Sequence, residues 1–85
     1  MIEGYVKDNS VYYKIENNFT YHKPIGSQPE RYEAVRAKAK ELAETLTALC
    51  PESRELSLAM TNLEQAVFWA NASIARNEKE SVEEK

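Results

Sequence analysis

Pro51 splits the greater part of this chain into two stretches with the same kind of apolar spacing. Before it, Tyr32, Val35, Ala39, Leu42, Leu46 and Leu49 recur at steps of three and four; after it, Leu56, Met60, Leu63, Val67, Ala70 and Ile74 do the same. Such steps keep one side chain per turn on a single stripe of an α-helix, the seam along which it packs on another helix. Ala34, Ala37, Ala43 and Ala48 raise helix propensity and keep the flanks slim. Proline ends the first helix, because it disfavours helical geometry in the residue before it. With a link as tight as Cys50-Pro51-Glu52-Ser53, the two seams predict an antiparallel helical hairpin. Each helix would be on the order of 33 to 38 Å long.

The first helix has a start signal. Ser27-Gln28-Pro29-Glu30 fits a capping box, with Ser27 at the N-cap and Glu30 at the third helical position. A proline in the first turn does no harm, since the N–H groups there lack partners in any case. Upstream, residues 1–24 read as β. Gly4-Tyr5-Val6, Val11-Tyr12-Tyr13-Lys14-Ile15 and Phe19-Thr20-Tyr21-His22 are rich in aromatic and β-branched residues and are separated by turn formers. The expected organisation is therefore mainly α: a short β hairpin or meander over 1–24, an αα-hairpin over 25–80, and a charged tail that frays over 81–85. A sheet that small is barely stable unless it packs on something else.

Leu58, Ala59, Phe68 and Trp69 fall off the second seam. Two helices cannot bury so wide an apolar surface, and a chain of 85 residues is marginally stable alone. The single Cys50 excludes an internal disulfide, and one cysteine with one histidine, His22, makes a structural zinc site untenable. Oligomerisation is the remaining source of stability, so the hairpins are expected to assemble into a helical homo-oligomer. No apolar run is long enough to span a membrane, and Met1-Ile2-Glu3-Gly4-Tyr5 lacks the signature of a signal peptide, so the chain reads as cytosolic. At Cys50 the natural expectation is a small buried apolar side chain.

The net charge of −3 argues against general binding of DNA or RNA. Its distribution says more. Residues 22–40 carry Lys23, Arg31, Arg36, Lys38 and Lys40 against Glu30 and Glu33, whereas acids dominate residues 41–85. No catalytic set emerges: His22 has no nucleophile near it in sequence, no glycine-rich phosphate loop exists, and no carboxylate pair sits in apolar surroundings. No cofactor is expected.

Two clusters remain. Tyr21, His22 and Lys23 precede the first helix, on which Arg36 and Lys40 share a face with Lys38 offset from it. An aromatic ring beside a cationic helix suits a small anionic ligand that contains bases, because the ring stacks and the guanidinium forks two hydrogen bonds to a phosphate. Equally, Tyr21 could pack on the helix and the cations could be solvated. The second cluster is Trp69, Asn71, Ser73, Arg76 and Asn77, spaced by small residues that admit a close neighbour. For Trp69 alone, interface packing is the simpler account, and Arg76 could merely complement a helix C-terminus.

His22-Lys23-Pro24, the run Glu30 to Arg36, Leu49-Cys50-Pro51-Glu52-Ser53-Arg54-Glu55 and the run Ala66 to Asn77 together resemble the helical-hairpin domain of phage anti-CBASS and anti-Thoeris sponges. These small proteins sequester cyclic nucleotide alarm signals without cleaving them. The similarity covers about residues 21–77, and the segment before it looks like the β decoration of the anti-Thoeris members. The resemblance implies a hexamer built as a trimer of hairpin dimers, acting in the host cell cytoplasm on cyclic dinucleotides, cyclic trinucleotides or cyclic ADP-ribose derivatives. It matches Tyr21 and Arg36, with His22 and Lys23 beside them, to a dinucleotide pocket between protomers, Arg36 standing where the family carries Lys. It matches Lys38 and Arg76 to a second, trinucleotide pocket at a three-fold axis, to which Lys40, Trp69 and Asn71 are provisionally joined. The competing expectation is a structural module that uses the hairpin only to oligomerise.

Overall fold

The computed structural model describes Gly4 and residues 9–78, and these form three helices: α1 (Asn9–Asn18), α2 (Gln28–Leu49) and α3 (Arg54–Asn77). The hairpin of α2 and α3 follows the seams. Leu56, Met60, Leu63, Val67, Ala70 and Ile74 are all half-buried along α3, facing Tyr32, Val35, Ala39 and Leu46 on α2. The first seam departs from its spacing at two places, Leu42 and Leu49, the latter 76% exposed at the end of α2. Ala43 is half-buried, while Leu42 is 46% exposed. A straight helix of 3.6 residues per turn drifts by ~20° per heptad from a 3.5-residue repeat, which turns Leu42 towards the edge.

Pro51 and Ser53 make the reversal. Cys50 leaves the helix with extended backbone, and its N–H still donates to the Leu46 carbonyl at 2.9 Å. Ser53 caps α3: its Oγ accepts from the Leu56 N–H at 3.1 Å, satisfying one of the free donors of the first turn. Cys50 is exposed, contrary to the expectation of burial, because Pro51 lifts it out of α2 at the tip of the hairpin.

Where β-structure was expected there is helix. Val11-Tyr12-Tyr13-Lys14-Ile15 lies inside α1, Phe19-Thr20-Tyr21-His22 is irregular, and no strand occurs among the described residues. Most of the run Gly4-Tyr5-Val6, like the tail 81–85, lies outside the described residues. Tertiary ties override the local β preference, which is weak and dependent on context. The Asn17 side-chain amide donates to the Arg76 carbonyl at 3.0 Å, and the His22 ring N–H donates to the Asn17 carbonyl at 2.7 Å. The first bond docks the end of α1 on the end of α3, and the second folds the link back on α1.

Between α1 and α2 the chain turns at Gly26, whose φ of +54° is the left-handed region that a side chain disfavours by roughly 1–2 kcal/mol. Ser27 stands at the N-cap, but its hydroxyl makes no cap bond and the box with Glu30 does not form; Ser27 Oγ accepts instead from Arg31 Nε at 3.0 Å. Gln28 takes over the junction. Its carbonyl oxygen accepts from the Ile25 N–H and its amide donates to Glu78, both at 3.0 Å. Glu78 also accepts from both terminal guanidinium nitrogens of Arg31, at 2.7 and 2.6 Å. The carboxylate that opens the charged C-terminal run thus clasps the open end of the hairpin.

The single copy has no interior. It is 15 Å across its shortest axis, Gln28 is the one buried residue among those described, and no apolar side chain is buried. Leu49, Phe68 and Trp69 are 76%, 65% and 66% exposed. No helix among the described residues is long and apolar enough to cross a membrane.

Candidate binding site

The link between α1 and α2 brings the two clusters of the sequence together. Tyr21, His22, Tyr32, Arg36, Asn71 and Arg76 border one open concavity of about 420 Å³, where the end of α1 meets the first half of α2 and the last turns of α3. Sites for small ligands have volumes of roughly 300–1,000 Å³. Ala72 and Ala75 form part of its wall, so small side chains of α3 keep it open.

Each polar group has a definite setting. Tyr21 is 82% exposed, with its ring face open to a stacking partner. His22 is half-buried; because a carbonyl can only accept, its bond to Asn17 places a proton on Nε2. Arg36 pairs with Glu33 one turn back at 2.5 Å, and both are well exposed. An exposed pair of this kind is worth only ~0.2–1 kcal/mol, so a phosphate can compete for the guanidinium. Arg76 is half-buried and has no carboxylate partner among the described residues, its own carbonyl being held by Asn17. The Asn71 Oδ1 is buried and receives no hydrogen bond. Among the described residues no carboxylate borders the concavity. Two guanidiniums, an exposed phenol ring and amide groups, with no described carboxylate at the border, suit a planar, anionic guest.

The other candidates fall elsewhere. Lys23 borders a neighbouring hollow of about 390 Å³ on the α1 side, which shares Tyr21, His22 and Arg76 with the first. Lys40 stands over a more apolar groove between α2 and α3, with Met60, Val67 and Phe68. Lys38 points along the helix surface, 3.6 Å from Glu41. Trp69 lies on an exposed face of α3, two turns and roughly 10 Å from Arg76. One protomer therefore separates Lys38, Lys40 and Trp69 from Asn71 and Arg76, and joins those last two to Tyr21, His22 and Arg36.

The sequence reading missed Tyr32, Asn18 and Thr20 at the first hollow and Tyr13, Asn17, Gln28 and Glu78 at the second. Tyr32 carried a signal, since the seam places it one turn before Arg36. Glu78 carried none beyond its place at the end of the helix. Among the described residues no three His, Cys, Asp or Glu side chains gather as metal ligands would.

The geometry defines a helical hairpin with an aromatic ring and two guanidiniums at one open concavity. The profile of the family described as "Acb2/Tad1, hairpin domain" matches residues 13–75, and the chain belongs to this family of anti-CBASS and anti-Thoeris sponges, which are binding proteins rather than enzymes. The match begins at Tyr13 and so takes in the second half of α1, a segment that the resemblance in sequence had left out. No curated protein and no solved structure matches the chain.

Proposed function

We propose that this chain is a phage-encoded sponge that binds and sequesters cyclic nucleotide immune messengers in the host cytoplasm. The ligands are cyclic dinucleotides, cyclic trinucleotides or cyclic ADP-ribose isomers, and they are released unaltered. The observation that carries this reading is the concavity, bordered by no described carboxylate, that gathers Tyr21, Arg36 and Arg76 on a hairpin of the sponge family. Tyr21 stacks on a base, Arg36 leaves Glu33 for a phosphate, and Asn71 offers an acceptor to a donor brought by the guest or by a second copy. A cyclic dinucleotide has approximate two-fold symmetry, and two copies related by a two-fold axis present the same ring and cation from both sides.

Assembly belongs to the proposal. The exposed Leu49, Phe68 and Trp69 and the lack of a buried apolar residue call for neighbouring copies, in a hexamer made of three hairpin dimers. Lys38, Lys40 and Trp69, which one copy leaves apart, would come together with those of other copies around a three-fold axis, as the resemblance implies for a trinucleotide pocket.

The test is a thermal-shift panel of the three ligand classes, followed by chromatography of whatever heat releases from the complex. Saturation at 100 times the dissociation constant adds ~2.7 kcal/mol of stability. An intact ligand recovered from a stabilised protein meets the proposal. An altered ligand means catalysis, and no shift with any class leaves only an oligomerisation module.

A further inference from the structure

We infer that the side of α3 turned away from α2 pairs with the same side of α3 in a second copy of the chain. The two helices run antiparallel, with Leu58 set against Trp69 and Asn62 against Gln65. This pairing presupposes the assembly proposed above and gives it a face and a register.

Charge singles out the helix. From Leu56 to Ala75, α3 carries one charged residue, Glu64, whereas α2 carries eight. A helix uncharged on nearly every side is suited to being covered on more than one of them. The half-buried seam faces α2 and accounts for the first. Leu58, Asn62, Gln65 and Trp69 form a second stripe, at steps of four, three and four. At 3.6 residues per turn they fall within about 60° of one another and roughly 150° from the seam, on the far side from α2. All four are exposed, Leu58 and Trp69 at 45% and 66%. The side-chain amides of Asn62 and Gln65 have no hydrogen-bond partner among the described residues.

The stripe reads the same from either end: a large apolar residue, an amide, an amide, a large apolar residue. A two-fold axis between Asn62 and Gln65 therefore lays each Leu58 on the Trp69 of the other copy and each Asn62 beside the other's Gln65. An isologous contact requires this self-complementarity. An amide both donates and accepts, so the two satisfy each other as the pair closes, and polar groups within an apolar contact fix its register. The parallel alternative sets two Glu55 carboxylates side by side, with like ends of the helix dipoles together. The antiparallel one sets Glu55 beside Ala72 of the other copy. Tyr21 and Arg36 belong to the link and to α2, off this face, so the contact differs from the one across which two copies share a ligand. Two different two-fold contacts that alternate around a ring join such dimers into a closed assembly. Trp69 thereby leaves the provisional three-fold group and serves packing.

The experiment co-expresses Leu58→Cys with Trp69→Cys, both in a Cys50→Ser background. Mild oxidation of the mixture should yield a disulfide between positions 58 and 69. Neither variant alone should form a linked dimer, because like positions lie roughly 16 Å apart along the pair. A linked dimer from one variant by itself would overturn the antiparallel register. No linked dimer from the mixture, in a background that sediments as an oligomer, would overturn the interface and leave both the assembly and the sponge reading standing. The sole tryptophan gives a second measurement without cysteines. Within one copy Leu58 lies three turns from Trp69, so Leu58→Asp should shift tryptophan emission to the red only through a neighbour; unchanged emission contradicts the pairing. A wild-type chain that sediments as a monomer sinks the pairing together with the assembly, and the ligand panel then judges nucleotide capture by itself.

Discussion

The side-chain amide of Asn17 donates to the backbone carbonyl of Arg76 at 3.0 Å, across 59 residues of sequence. Arg76 lies in the last turn of α3, where carbonyls have no partner within the helix, so one bond both satisfies that end and moors α1 beside the site. Asn17→Ala should cost about 1 kcal/mol, which lowers the melting temperature of a domain this size by roughly 4–8 °C. The same variant should weaken ligand binding, since Tyr21 and His22 hang from the end of α1. Calorimetry with and without ligand checks both; unaltered stability would mean that the bond does not persist in solution.

Acid should loosen the clasp between Arg31 and Glu78. Hydrogen bonds from Arg31 first, and from Gln28 second, hold the Glu78 carboxyl down to about 2, from an ordinary 4.5. A depressed carboxylate stabilises the fold fully above its unfolded value, and that stability is lost as pH falls through the folded one. The melting temperature should therefore decline between about pH 4.5 and pH 2, and Glu78→Gln should shallow that decline. Identical acid profiles for the two proteins would exclude the clasp as the cause.

Tyr21→Ala removes the exposed ring at the mouth of the site. Loss of one stacked base costs about 1–3 kcal/mol, so cyclic dinucleotide affinity should fall roughly tenfold or more, with sedimentation unchanged.

Arg36 gives a prediction of each sign. Arg36→Ala should weaken binding, while Glu33→Ala frees the guanidinium from its only carboxylate among the described residues and should strengthen binding by roughly 1.5- to 5-fold. Titrations of both variants decide it; a Glu33→Ala protein that binds more weakly would show that Glu33 aims Arg36 rather than competes for it.

Phe68→Asp places a charge on a face that is 65% exposed in one copy. If copies cover that face, the variant should sediment as smaller species and melt at lower temperature. A surface residue truly in solvent would tolerate the change within about 0.5 kcal/mol.

The hairpin was legible because its signal is periodic and long. Every residue of the second seam is half-buried, and Pro51 marks the reversal. The helix α1 was not legible, because ten residues rich in tyrosine and β-branched side chains satisfy a strand pattern equally well. The tie from Asn17 to a residue 59 positions away, which no local window contains, also lay beyond reach. The site was legible in its parts and not in their grouping. Tyr21, Arg36, Asn71 and Arg76 each stood out by type, but neighbours in sequence, such as Trp69 and Asn71, sit on different faces of one helix. The cation Lys23, next to His22 in the chain, borders a different hollow from Arg36.

A protomer whose described apolar side chains are all at least partly wet would, under the proposed assembly, depend on its neighbours. If copies assemble as proposed, melting temperature should climb with protein concentration. On the proposed reading, a cell below the threshold of assembly would hold loose hairpins that neither persist nor capture; above it, each added chain would supply both scaffold and capacity.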